Sequence, residues 1–472
     1  MNALIAILAL IVCGGSIFLA PAEAPGALAL CIITSLPTLY LVARRKEDRT
    51  FLLRLFILGV LIRIAVGTVI FVGHYEEFFG GDANTYDSYG VSLGAAWHGD
   101  KYNLGRYQSF AASGASAWGM LYLVAGVYEL LGRNMLAVQL INASVGASTA
   151  IVVYNTADRL FSNQRVSRLA GFLVCFFPSL VLWSSQALKD GIIVLVLALA
   201  IYCTLRLLEK ISIGYVLVMT TCLLSLLTLR FYTFYMMSAA VGGSLLIGGK
   251  TLDTQSFMRR FAAVVAIGLV FTYFGIVQYA GTQIEKYGNL QVVQLSRKDQ
   301  ARSADSGFLT DVDVQTTSGA LTAIPIGLLY LLLAPFPWQF GSLRQSIALP
   351  EMVIWWFSCP LLVLGLWYGL KHRLREVAPI VIFTTMLTLA YSLVQGNVGT
   401  AYRQRSQLLV FYFIFVAVGA VIMKERSEDR KRKAEIAKKE LAELQAARAL
   451  ARRQRPVQGS QPVGSSRSES VG

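Results

Sequence analysis

Charge is scarce in this sequence. Asp, Glu, Lys and Arg make up 15% of its 472 residues, whereas soluble domains carry about 25%. With 55% hydrophobic residues and a mean hydropathy of +0.57, that shortfall excludes an ordinary soluble protein. Histidine is scarce, with three scattered residues and no metal-binding cluster. The six cysteines (Cys13, Cys31, Cys175, Cys203, Cys222 and Cys359) have no CxxC or metal spacing. All fall in apolar runs and read as small buried hydrophobes. Walker, GxSxG, HExxH and dinucleotide-binding motifs are absent, so ATP-driven transport and soluble-type hydrolase chemistry find no support.

What the chain has instead is apolar runs of about 20 residues, long enough to cross a hydrocarbon core roughly 30 Å thick. They predict an all-α, polytopic membrane bundle. The net charge of +15 comes from loop Lys and Arg that set orientation and from a basic tail, rather than from a nucleic-acid site. The run 2–20 resembles a signal peptide but lacks a basic leading segment, and it reads as a retained first helix.

Counting every apolar stretch as a crossing gives a poor positive-inside pattern. Treating 116–131 and 320–338 as interfacial or re-entrant leaves about 12 crossings, with both termini cytoplasmic. The clusters Arg44-Arg45-Lys46, Arg159/Arg165/Arg168, Lys250/Arg259/Arg260 and Lys371/Arg373/Arg375 then share one face with the tail. The expected organisation is a transmembrane domain over 1–423 with large outer loops at 74–134 and 282–350. A charged cytoplasmic helix over 424–455 and a disordered tail over 456–472 follow it.

Three outer-face segments carry candidate chemistry. The first is Gly80-Gly81-Asp82, with Tyr86 and Asp87 close behind. Acidic residues beside a membrane span need water, a cation or a substrate proton. Asp82 can equally act as the N-cap of a helix over 83–97. The second is Lys189-Asp190, following Pro178 and Trp183-Ser184-Ser185, read either as a local salt bridge or as part of a site. A carboxylate there can share a divalent cation, Mg or Mn, with Asp82. The third is Arg403 and Arg405 after Gly396 and Gly399, with Arg230 at another outer helix boundary. Guanidinium groups on the outer face oppose the positive-inside trend and suit phosphate, although headgroup anchoring is the alternative. Glu351 and Arg344 are weaker candidates, and Arg63 lies deep in a span, where a charge needs a polar interior or a partner.

This layout resembles the GT-C class of integral membrane glycosyltransferases, of the polyprenyl-phosphate-mannose, aminoarabinose-transferase and glycosyltransferase 39 types. Asp82 matches the essential Asp of that class's first outer loop, and Asp190 the acidic residue of the next. The resemblance covers about residues 50–423 as a pattern of spans and loops. Two spans precede the Asp-bearing one, and a lone Asp82 stands where the class usually has an acidic pair. The resemblance implies a bacterial inner-membrane enzyme that moves a sugar from a polyprenyl-phosphate donor on the outer face. Asp82 would then be the general base, Asp190 its partner, and Arg403, Arg405, Arg230 and Lys189 the phosphate ligands, with Tyr86 and Asp87 nearby. The acceptor, whether glycan, lipid or protein, is left open. Two other classes stay in view. A polysaccharide polymerase or O-antigen-type ligase would need the arginines but not Asp82. A flippase or transporter would show internal repeats, and none is evident.

Overall fold

In a hydrocarbon environment every backbone N–H and C=O must be satisfied within the chain, and a helix does this locally. The computed structural model describes residues 2–112, 117–247, 254–273, 275–302, 307–308, 312–338 and 343–453. Among these no strand forms, and a single isolated bridge joins Gly307 to Asn397. The chain opens with α1 (Asn2–Leu19), α2 (Ala24–Ala43) and α3 (Arg49–Val72). The first expected outer loop is itself helical, as α4 (Asp82–Trp97), α5 (Lys101–Ala112) and α6 (Trp118–Leu131). Next come α7 (Met135–Phe161), α8 (Gln164–Phe176), α9 (Pro178–Trp183) and α10 (Lys189–Glu209). They are followed by α11 (Ile213–Leu229), α12 (Phe231–Ile247) and α13 (Thr254–Tyr273). The second expected loop is also largely helical, with α14 (Ile276–Tyr287), α15 (Leu290–Arg302) and α16 (Thr317–Leu333). Last are α17 (Leu343–Val394), kinked at Arg373, and α18 (Val398–Arg453).

Six helices among the described residues are long and apolar enough to span a membrane: α2, α3, α7, α10, α17 and α18. Shorter apolar helices accompany them, among them α6 and α16, the two segments set apart in the sequence. The protein is an all-α, polytopic integral membrane bundle. It divides into Met1–Ala420 and a second unit from Val421. Residues 423–448 of that second unit are exposed throughout. The tail expected over 456–472 lies outside the described residues.

The bundle is organised on α7, which packs against α2, α3, α8 and α10. Ala143, Gly146, Ala147 and Ala150 keep its surface shallow, and neighbouring backbones approach closely. Hydroxyls join the helices across these contacts. Ser35 Oγ donates to Ser144 Oγ at 3.0 Å, and Thr38 and Ser148 share a 2.8 Å bond.

Two features of this packing place the candidate residues. Pro178 lacks an N–H and breaks the α8–α9 run. Asn142 of α7 then donates to the carbonyls of Gln186 and Leu188, both at 2.7 Å, which pins the α9–α10 junction. Arg63 braces the same junction by donating to Ser184 Oγ at 2.7 Å and to the Cys175 carbonyl at 2.9 Å. This is the polar interior expected around a deep span arginine.

Candidate functional site

Asp82 is the first residue of α4, and the cap position is Gly81, whose φ of +66° favours glycine. Asp82 is therefore not the N-cap, and its side chain turns to Arg403. Arg403 Nη1 donates to Asp82 Oδ2 at 2.7 Å, while Nε and Nη2 donate to Asp190 Oδ2 at 2.9 and 2.6 Å. One guanidinium thus bridges carboxylates from α4 and α10. Arg230, at the C-cap of α11, takes the other oxygen of Asp190 at 3.2 Å. It also reaches the Tyr391 hydroxyl at 3.4 Å, and that hydroxyl donates to Gln407 at 2.9 Å. Trp183 lies under Arg403, its ring centroid 5.8 Å from the guanidinium carbon.

The two carboxylates differ in access. The Asp190 side chain is 0% exposed and that of Asp82 is 46% exposed, so only Asp82 can meet a substrate. Asp82 Oδ1 has no hydrogen-bond partner among the described residues. Lys189 Nζ sits 6.0 Å from the centroid of the buried Tyr86 ring. No carboxylate lies within ion-pair distance of Lys189 among the described residues. Burial, with the Asp82 and Asp190 charges adding to it, holds the Tyr86 phenol well above its ordinary pKa.

Six sequence candidates therefore meet: Asp82, Tyr86, Lys189, Asp190, Arg230 and Arg403. The structure does not bring Asp87 or Arg405 to them. Asp87 is buried against α6, accepting from Tyr128 at 2.6 Å and from Arg133 at 2.5 and 3.2 Å. Bonding to Asp87 raises the Arg133 pKa above its ordinary value. Arg405 is fully buried and donates to the carbonyls of Leu332 and Ala334 at 2.9 and 3.0 Å. These are carbonyls left open at the end of α16. Glu351 is buried beside it, accepting from the Ser179 N–H at 2.6 Å and from Tyr402 at 2.8 Å. The Arg344 side chain lies outside the described residues.

A divalent cation shared by Asp82 and Asp190 does not fit these residues. The Arg403 guanidinium occupies the space between the two carboxylates, where the ion would stand. Among the described residues no group of three or more His, Cys, Asp or Glu is arranged to hold a metal.

Tyr391 and Gln407 were missed by sequence reasoning. A tyrosine inside an apolar span was the available signal, since a buried phenol needs a partner.

Residues 116–276, a third of the chain, match the model of the dolichyl-phosphate-mannose-protein mannosyltransferase family. That is a GT-C glycosyltransferase family. The protein is a membrane glycosyltransferase using a lipid-linked sugar donor, in agreement with the resemblance seen in its outer loops. The matched span holds Lys189, Asp190 and Arg230, whereas Asp82 and Arg403 lie outside it. No curated protein matches the chain.

Proposed function

We propose that this glycosyltransferase moves a sugar from a polyprenyl-phosphate donor to an acceptor hydroxyl on the outer face of the bacterial inner membrane, with both termini cytoplasmic. The observation that carries the reading is the Arg403 bridge between a half-exposed and a fully buried carboxylate. Asp82 accepts the proton of the acceptor hydroxyl. The acceptor oxygen attacks the anomeric carbon as the bond from that carbon to the phosphate oxygen breaks. The electron pair leaves with the phosphate, releasing polyprenyl phosphate and inverting the anomeric centre. Charge gathers on the leaving phosphate, and Lys189 meets it together with the N–H groups of Arg403 turned away from the carboxylates. Asp190 touches neither reactant. It is a positioning residue that holds Arg403 and Arg230 in place.

The outer placement is supported by α10. Its first turn carries Lys189 and Asp190, and its other end, about 30 Å away, lies among the basic loops that the positive-inside rule assigns to the cytoplasm.

Lys189→Ala is expected to lower kcat/KM for a labelled polyprenyl-phosphate sugar by about a hundredfold. Its thermal stability should stay that of the wild type, because no ion pair is broken. The measurement is sugar transfer in membrane vesicles at matched expression. Unchanged transfer would show that the leaving phosphate is held elsewhere and would reverse the assigned orientation of the donor.

A further inference from the structure

At the far end of α10 a cavity of about 1000 Å³ opens where α7, α10, α13 and the kink of α17 meet. Six basic side chains line it: Arg159, Lys210, Arg260, Lys371, Arg373 and Arg375. Two carboxylates oppose them. Glu209 is engaged by Arg159, and Glu376 by Arg373 at 2.9 Å. Arg373 leaves helical geometry at the kink, and its Nη1 reaches the Leu160 carbonyl at 2.7 Å, joining α17 to α7. Lys210 and Lys371 are exposed, with no carboxylate within ion-pair distance among the described residues. The rest of the wall is largely apolar, including Leu205, Leu208, Ile211 and Leu374.

Surplus positive charge on a cavity wall selects an anion, and leucines beside it select an anion that carries hydrocarbon. Orientation by loop charge alone requires no cavity. We propose that this cavity binds the phosphate headgroup of an anionic membrane phospholipid, at the membrane face opposite the Asp82 cluster. On the proposed topology this is the cytoplasmic leaflet, where anionic lipid is concentrated and juxtamembrane basic residues attract it. The site is separate from sugar transfer, and its failure would leave the transfer reading intact.

The full chain, purified in detergent, is equilibrated with equal amounts of phosphatidylglycerol and phosphatidylcholine, and the lipid retained is measured by native mass spectrometry. The wild type is expected to retain phosphatidylglycerol at least about tenfold over phosphatidylcholine. Lys210→Glu with Lys371→Glu should bring that ratio close to one. Lys431→Glu with Lys433→Glu makes the same charge change on the exposed extension of α18 and should leave the ratio unchanged. Inorganic pyrophosphate at matched ionic strength should not strip the lipid. Three results would overturn the proposal: no preference in the wild type, an equal loss in both double variants, or displacement by pyrophosphate, which would mark a site for a soluble phosphate anion.

Discussion

Replacing Asp190 by Ala is expected to abolish sugar transfer and to destabilise the protein by about 3–5 kcal/mol, the usual cost of removing one partner from a buried ion pair. Arg230 and Arg403 are 6% and 13% exposed at their side chains and both converge on Asp190. Without it Arg230 has no carboxylate and keeps a 3.4 Å contact to the neutral Tyr391 hydroxyl, and Arg403 keeps Asp82 as its one carboxylate among the described residues. A buried guanidinium without its carboxylate moves or draws in water, and either response displaces the donors proposed to meet the phosphate. Thermal unfolding in detergent, read beside transfer in vesicles, checks both halves of the expectation. Asp190→Ala with wild-type stability, or with residual transfer near wild type, would remove Asp190 from its positioning role. Asp82 provides the internal contrast. It is half exposed, so its removal is expected to cost little stability while removing the proposed general base.

The second large effect lies far from the site, where α17 crosses α18. A Cβ at Gly365 would stand 1.8 Å from the Phe415 carbonyl oxygen, and one at Gly419 would stand 2.0 Å from that of Leu361. Contacts of carbon with a carbonyl oxygen settle near 3.3 Å or more, so Gly365→Ala must part the two helices by about 1.5 Å. The obstacle is backbone, and no rotamer change relieves it. Arg403 sits on α18 about 18 Å from the clash, on a helix that moves largely as a rod. Misplacement of a catalytic group by about 1 Å costs on the order of a hundredfold. Gly365→Ala is therefore expected to lose about that much transfer, with lower thermal stability from the opened crossing. Gly14→Ala, where no atom lies within 4 Å of the added carbon, is the matched control and should change neither. Wild-type activity in Gly365→Ala would show that the crossing does not set the position of Arg403.

Much of the architecture was legible because a bilayer permits few solutions. Low charge and repeated apolar runs already require a helical bundle. The helices within the expected outer loops were less visible, because α5 and α15 are short and polar. At the site, loop position singled out Asp82, Lys189, Asp190, Arg230 and Arg403 one at a time. It could not show that a single guanidinium links the two aspartates, since Asp82, Asp190 and Arg403 are far apart in sequence. Arg405 illustrates a different limit. As a residue type it is indistinguishable from Arg403, yet two helical steps place them about 200° apart. One therefore faces the cluster while the other faces the end of α16. Five steps, a net rotation of about 140°, likewise separate Asp87 from Asp82 on α4 and turn Asp87 toward Arg133 and Tyr128. Helical phase carried that information, and it became readable only once the helix boundaries were known.

In the proposed reaction Asp82 takes the acceptor proton. Wild type and Asp82→Asn are compared in membrane vesicles, with sugar transfer and retention of the labelled polyprenyl-phosphate donor measured in the same sample. Asn preserves the shape and a hydrogen bond to Arg403 but cannot accept the proton as a carboxylate does. Asp82→Asn is expected to lose transfer by about a hundredfold or more, with donor retention and thermal stability unchanged. Full transfer in Asp82→Asn would contradict it, and if Arg403→Ala abolished transfer in the same assay, the chemistry would belong to a polymerase or ligase that relies on the arginine.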